Sequence, residues 1–262
     1  MTMFSTLVTS LASDGDGLIV NPSDDWRQGR TLFGGLSAAL CLAACERLVP
    51  GLPPLRAAQI AFVAPSAGEV RLEPRLLRQG KSVTFVACDL VAQGVVAVRA
   101  LFAFGESRAS AYRAAAPDAP PAPAPDMCGP LFPSGQGPTF GSHIEQRFVC
   151  GHRPLAGADT GDLTIWVRHR DPAPVSAMVA LIALGDALPP ATMSRFAEPA
   201  AISTMTWGLD LIAPETPRAG GWYLLRTSDD AVGNGYAGQV MAMWDETGAP
   251  VMLARQSIAV FG

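Results

Sequence analysis

The chain has 262 residues, 49% of them hydrophobic and 16% charged, with a formal net charge of −4. That length can bury a large core, as one big domain or two coupled ones, and the acidic balance argues against a general nucleic-acid surface. The longest apolar run, residues 36–45, is far shorter than a membrane span of about 18 residues, and the N-terminus, with no basic residue before its first apolar stretch, reads as a mature cytoplasmic protein rather than a signal peptide.

Residues 31–50 predict the first major helix. Gly34-Gly35 opens it, and Leu36, Leu40, Ala43, Ala44 and Leu48 then recur at helical spacing until Pro50-Gly51. A strand is expected over 56–64, ending at Pro65. Residues 68–79 and 82–93 read as hairpin partners turning at Gln79-Gly80, and Gly94 turns the chain into 95–104. Residues 117–138 contain eight prolines, which excludes regular helix and central strand. They read as an extended surface connection. Strands follow over 142–150 and 163–169. A second helix is expected over 175–188, with Pro174 at its start and Pro189-Pro190 at its end. The segments 202–212, 222–227, 235–244 and 250–261 complete a meander, with a hairpin turn at Asp245-Glu246-Thr247-Gly248. This order is α+β.

The chain also repeats itself. Ile60-Ala61-Phe62-Val63-Ala64-Pro65 is echoed by Leu209-Asp210-Leu211-Ile212-Ala213-Pro214, and Leu76-Leu77-Arg78 by Leu224-Leu225-Arg226, at separations of 149 and 148 positions. The stretch from Arg99 to Gly105 is echoed by the last residues from Arg255, the closing glycines being 157 apart. Three matches in one order imply a unit of roughly 110–120 residues occurring twice: residues 1–110 and 140–262, joined by the proline-rich 111–139. The seam between two like halves is the first place to look for chemistry.

Five cysteines without framework spacing indicate a reducing compartment. Cys41 and Cys45, four apart on the first helix, read as small buried hydrophobes rather than half a metal site. His143, His152 and His169 form no metal-ligand pattern, and no metal is expected. Gly80-Lys81-Ser82 lacks the earlier glycine of a phosphate loop, Arg75 standing there. No Gly-x-Ser-x-Gly elbow supports a serine nucleophile.

Gly29-Arg30-Thr31-Leu32-Phe33-Gly34-Gly35 and the small-residue helix after it resemble the acyl-CoA thioesterase II family. The resemblance continues through Phe62-Val63-Ala64-Pro65, Leu77-Arg78-Gln79-Gly80-Lys81-Ser82 and Phe102-Ala103-Phe104. In the second half it takes in Trp166-Val167-Arg168, Leu184-Gly185-Asp186 and Ala254-Arg255-Gln256-Ser257. It covers nearly the whole chain in the right order. It implies a double hotdog, two tandem units each with a long helix wrapped by a curved antiparallel sheet. It also implies hydrolysis of acyl-CoA thioesters without a metal, a cofactor or a covalent intermediate, in a homo-oligomer of fatty acid metabolism. The family's catalytic aspartate, threonine and glutamine match Asp186, Thr204 and Gln256, with Ser203 and Thr206 close neighbours of the threonine. Where the family carries an aspartate and a histidine after its threonine, this chain has Thr206 and Trp207.

The same residues can be read on their own. Asp186 follows Met178 and Ile182 at four-residue steps, on their apolar stripe and near a helix C-terminus. Both effects raise a carboxyl pKa; the alternative is a solvated aspartate in a fraying last turn. Gln256 interrupts an apolar strand, whose alternation allows it to face inward or outward, and the repeat sets it against Ala100. Gly34 and Gly35 either let the chain bend into the helix or bare its amides to a substrate carbonyl. Arg78 and Lys81 either meet CoA phosphates or belong to a solvated turn. The expected function is acyl-CoA hydrolysis. A catalytically silent acyl-CoA or lipid-binding protein is one alternative, and a hydratase or dehydratase of acyl thioesters is the other. The expected partner is the acyl-CoA substrate, with no nucleic acid and no membrane span.

Overall fold

The first major helix, α2 (Gly34–Leu48), is buried from Gly35 through Cys45 without a break. A helix that is apolar around its whole circumference belongs between layers. One side of α2 lies on β6 (Val70–Gln79), β7 (Thr84–Ala92) and β8 (Val95–Phe104), and another on the second helix, α3 (Ala177–Gly185). The computed structural model of the chain describes residues 1–112, 114–133, 135, 137–171, 175–211 and 220–261. Pro174, Pro214 and Gly262, which the sequence reading used as landmarks, lie outside them.

Both helices are shorter than the sequence predicts. Thr31–Leu32 (β4) leaves the helix to pair with Arg27–Gln28 (β3), and Gly51 adopts a left-handed φ of 73° just past the C-terminus. The α3 helix ends at Gly185, with Asp186 as its C-cap. A short helix, α1 (Phe4–Thr9), and the hairpin β1 (Ala12–Asp14)–β2 (Gly17–Val20) precede the first predicted element. The remaining strands are β5 (Leu55–Phe62), β9 (Ile144–Gly151), β10 (Asp162–His169), β11 (Ala201–Leu211), β12 (Tyr223–Gly233), β13 (Tyr236–Asp245) and β14 (Pro250–Phe261).

Apart from the β3–β4 pair, the strands form one 12-stranded antiparallel sheet in the order β1-β2-β6-β7-β8-β5-β11-β14-β13-β12-β10-β9. Its halves mirror one another about the β5–β11 pair. In that ladder Ala58 faces Leu209, Ile60 faces Trp207, and Gln59 faces Gly208 between them. Gln59 and Gly208 are 149 positions apart, the separation seen in the sequence repeat. The pseudo-twofold axis therefore passes through this pair, and each half is a helix on an antiparallel sheet: a double hotdog. The two helices run antiparallel across the axis. A Cβ on Gly35 would lie 2.4 Å from the Ala183 carbonyl oxygen, while at the other end Ser176 Oγ donates to Glu46 at 3.1 Å.

Open edges of a sheet invite pairing with other chains, which is the physical ground for expecting an oligomer. Here β1 is only three residues long. The outer edge of β9 is engaged by the connection between halves, with the Phe148 N–H donating to Gly129 O and the Leu131 N–H to Gln146 O. The proline-rich connection is extended, as expected, but it is packed rather than free. It crosses the outer face of the second half, where Ala119, Ala122 and Cys128 cluster with Trp166, Leu224 and Trp244. The Trp166 and Trp244 indoles donate to Pro123 O and Pro117 O, each at 2.8 Å.

Candidate active site

Asp186 sits where the C-terminus of α3 meets the N-terminus of α2. Its Oδ1 accepts from Gln256 Nε2 at 2.6 Å, and its carboxyl also takes the backbone N–H of Gly35. The group is only partly exposed, and enough protein surrounds it that lost hydration outweighs both donors. Burial pushes its pKa up from 3.8 to about 7, while the Gln256 and Gly35 hydrogen bonds hold it down. A carboxyl balanced near neutral pH, in a residue that keeps some solvent exposure, is suited to general-base work.

The glycines at the start of α2 do not serve a left-handed bend, since neither has a positive φ. They are needed for close approach. A Cβ on Gly34 would lie 2.7 Å from Asp186 Oδ2, and one on Gly35 would strike Ala183 O. The carboxylate thus occupies space that any other residue at position 34 would fill.

Gln256 faces inward and is almost fully buried. A second glutamine holds it in place: Gln239 Nε2 donates to Gln256 Oε1 at 2.6 Å, and Gln239 Oε1 accepts from the Ala191 N–H at 2.7 Å. Every link in this relay from Ala191 to Asp186 is a conventional hydrogen bond, so the Gln256 amide is oriented with its nitrogen toward the acid. Gln239 was not singled out from the sequence. Its signal is a lone amide among the inward positions Ala237, Met241 and Met243 of β13.

Strand register settles the threonine's place. Thr204 pairs with the fully buried Ile258, and Trp207 pairs with Gln256, with an irregularity between Thr204 and Thr206. Paired residues share a face, so Thr204, Trp207 and Gln256 lie on the helix side, whereas Ser203 and Thr206 pair with Ala259 and Ser257. The Thr204 hydroxyl makes no hydrogen bond to a described residue. The same ladders correct the repeat alignment. Ala58, the twin of Trp207, pairs with Phe102, and Phe102 pairs with Val86. Phe102 rather than Ala100 therefore stands where the other half has Gln256, and Val86 where it has Gln239. Both glutamines of the relay have apolar counterparts, so this glutamine pair belongs to one half.

Arg78 and Lys81 are exposed at the β6–β7 turn. The pairings Gln79–Thr84, Thr84–Phe104 and Phe104–Leu55 place that turn at the Leu55 end of β5. Gly34 and Asp186 lie at the Phe62 end, with Phe62 about 3 Å from the Cβ position of Gly34. The structure does not bring these two cations to Asp186. His143 stacks on Trp26 and bonds Asp25, His169 bonds Ala180 O, and His152 bonds Asp162. No histidine is a partner of Asp186. Cys41 and Cys45 are buried core residues, and among the described residues no three His, Cys, Asp or Glu side chains cluster as metal ligands.

Residues 22–105 match the acyl-CoA thioesterase N-terminal domain, and residues 114–260 match the acyl-CoA thioesterase C-terminal domain. The chain belongs to the acyl-CoA thioesterase family. Its reaction class is thioester hydrolysis. The two matches meet between residues 105 and 114, so the proline-rich 117–138 lies within the C-terminal match. Solved structures agree on the fold. A hotdog-fold protein of unknown function from Alicyclobacillus acidocaldarius aligns with a TM-score of 0.85 at 22% identity, covering 100% of this chain and 99% of that one. The tesB protein of Mycobacterium avium subsp. paratuberculosis gives 0.81 at 15%, covering 99% and 98%. Acyl-CoA thioesterase II TesB2 of Mycobacterium marinum gives 0.77 at 17%, covering 97% of each chain. No curated protein matches the sequence. Among the described residues of this thioesterase no helix is long and apolar enough to cross a membrane.

Proposed function

We propose that the protein hydrolyses acyl-CoA thioesters by direct attack of water, with Asp186 as the general base and no metal, cofactor or covalent intermediate. The observation that carries this reading is the Asp186 carboxyl, partly open, raised to about 7 and fixed by Gln256 and Gly35. Asp186 takes a proton from water as the water oxygen bonds to the thioester carbonyl carbon. The carbonyl electrons move to its oxygen, where amides of the first turn of α2 are available. One of these, on Gly35, is already used by Asp186, so the oxyanion takes another. Collapse breaks the C–S bond, and the proton on Asp186 passes to the departing CoA sulfur. Gln256 holds the base, and Thr204, on the same face, lines the water's side of the site.

The substrate class is an acyl-CoA with an apolar acyl group. Val63, Tyr236 and Phe261 are exposed at the same end of the sheet as Thr204, and they offer an apolar rim. In this reading the enzyme acts in fatty acid metabolism in the cytoplasm, as a homo-oligomer. The assembly rests on the family resemblance.

Thiol release from a panel of esters, acetyl- to palmitoyl-CoA with phenylacetyl- and benzoyl-CoA, run beside Asp186→Asn, tests the proposal. Turnover that collapses in the variant is the expected result. Binding without turnover would make the protein a silent acyl-CoA carrier. Turnover untouched by the variant would move the base elsewhere. The dehydratase alternative needs a histidine beside the acid, and Asp186 has none.

A further inference from the structure

Asp186 has an aromatic neighbour from the other half. A Cβ on Gly34 would lie 2.7 Å from Asp186 Oδ2, 3.0 Å from Phe62 Cε1 and 3.1 Å from Phe62 Cζ. The ring edge and the carboxyl oxygen are therefore no farther apart than the first two distances laid end to end. Phe62 closes β5. It follows Ala58 and Ile60 at two-residue steps and pairs with the buried Val98, so it takes the helix-facing side. Phe62, Gly34 and Asp186 each keep some exposure. The rest of the carboxyl's surroundings are polar or bare. Gln256 holds Oδ1, Gly35 supplies a backbone N–H, and α2 opens on two glycines that have no side chain to lay over an acid. The other large apolar groups at this end, Trp207 and Met252, are almost fully buried and meet Gly185. Phe62 is the one beside Oδ2 and partly exposed. The repeat sets Leu211 at its twin position, 149 residues on, so the ring stands at the end that carries the acid.

We propose that the Phe62 ring is a positioning residue for the base: it shields the Asp186 carboxyl from bulk water and so fixes its strength as a proton acceptor. The inference rests on the hydrolytic reading above and adds to it a residue from the first half. The groups that reach the carboxyl from α2 and β14 are the Gly35 N–H and the Gln256 amide, both neutral, and β5 brings Phe62. Among the described residues no charged side chain acts on it. Its strength is then set by how much water is kept away, against two neutral donors. A glycine pair at the start of α2 gives the acid room, and the ring covers the gap that the glycines leave.

Phe62→Ser removes the cover and admits water, whereas Phe62→Leu keeps an apolar one. NMR titration of labelled aspartate carboxyls, with Asp186 assigned by its loss in Asp186→Asn, reads the effect without any substrate. The Asp186 midpoint, about 7 in the parent, should fall by about one pH unit or more in Phe62→Ser and stay close to the parent in Phe62→Leu. The acid limb of kcat/KM should move down with it, and the plateau should drop about 3-fold because the base is weaker. A purely structural role would lower the whole profile and leave its limb in place. An Asp186 midpoint unmoved by Phe62→Ser overturns the proposal. If the midpoint moves but the activity limb does not, or no acyl-CoA is hydrolysed, the hydrolytic reading fails while the shielding stands. If Phe62→Ser does not fold, a crystal structure of the unmodified protein decides: direct packing of the ring on Oδ2 sustains the proposal, and an ordered water between them overturns it.

Discussion

Asp186 loses hydration on folding and gains two donors, and the loss is the larger effect. Two outcomes follow for turnover. The kcat/KM profile should fall on the acid side with a single-proton limb near pH 7, measured by thiol release at saturating ionic strength; a flat profile from pH 5 to 8 would mean that Asp186 is not the base. Asp186→Asn should cost at least about 100-fold in kcat. Stability moves the opposite way. A carboxyl whose folded pKa is raised binds more protons folded than unfolded between pH 3.8 and about 7, so stability falls as pH rises through that window. The full shift corresponds to about 4 kcal/mol, an upper bound for a group that water partly reaches. Asp186→Asn should therefore melt higher than the parent at pH 8, with the gain gone at pH 3.5. An inactive variant that is more stable is the signature of a residue kept for chemistry rather than for folding. Gln239→Leu tests the relay behind the base. It leaves the Ala191 N–H and Gln256 Oε1 without their partner. The expected loss is about 1–3 kcal/mol of stability per unmatched group, together with lower kcat as Gln256 turns freely.

Elements meet closely where α2 begins. Glycine in a helix is ordinarily worse than alanine by about 1 kcal/mol, so alanine at either Gly34 or Gly35 would be expected to stabilise α2. The surroundings reverse this in two different ways. At Gly35 the obstacle is the backbone carbonyl of Ala183, 2.4 Å from the added carbon. Backbone cannot step aside, so Gly35→Ala should destabilise by about 1–3 kcal/mol in a denaturant melt. At Gly34 the obstacle is the Asp186 carboxyl itself. The end of a side chain can move, so Gly34→Ala should melt near the parent while kcat drops. Equal losses of stability in both variants would contradict this account. The irregularity in β11 works at the same scale. It lets Thr204 and Trp207, three apart, share the helix face, where strict alternation would send one of them outward.

Twelve strands from both halves form one sheet, because β5 and β11 pair directly across the axis. Residues 1–110 made alone would expose Ala57–Ala61 of β5 as an open edge. They should aggregate, or pair with themselves through β5, as read by size-exclusion chromatography; a stable monomer would show that the halves fold independently. Much of this architecture is legible in the chain. The separation of 149 positions between Ile60 and Leu209 is a fact of sequence, and it locates the axis that the ladder centres on Gln59 and Gly208. Asp186, Thr204 and Gln256 are reached from motif order. Their grouping could not be, because it depends on strand pairings between segments tens of residues apart. Pairing in three dimensions put Phe102, not Ala100, opposite the amide's place, recruited Gln239 from a neighbouring strand, and left Arg78 and Lys81 at the other end of the sheet. What the sequence alone determined is local and periodic: helix and strand phases, turn positions, and the duplication, all set by contacts within a few residues or by copying. What only the tertiary structure decided is non-local: which face each side chain takes, how much water Asp186 loses, and why glycine must stand at 34 and 35. Burial and close approach are properties of surfaces that exist only after the two halves have met.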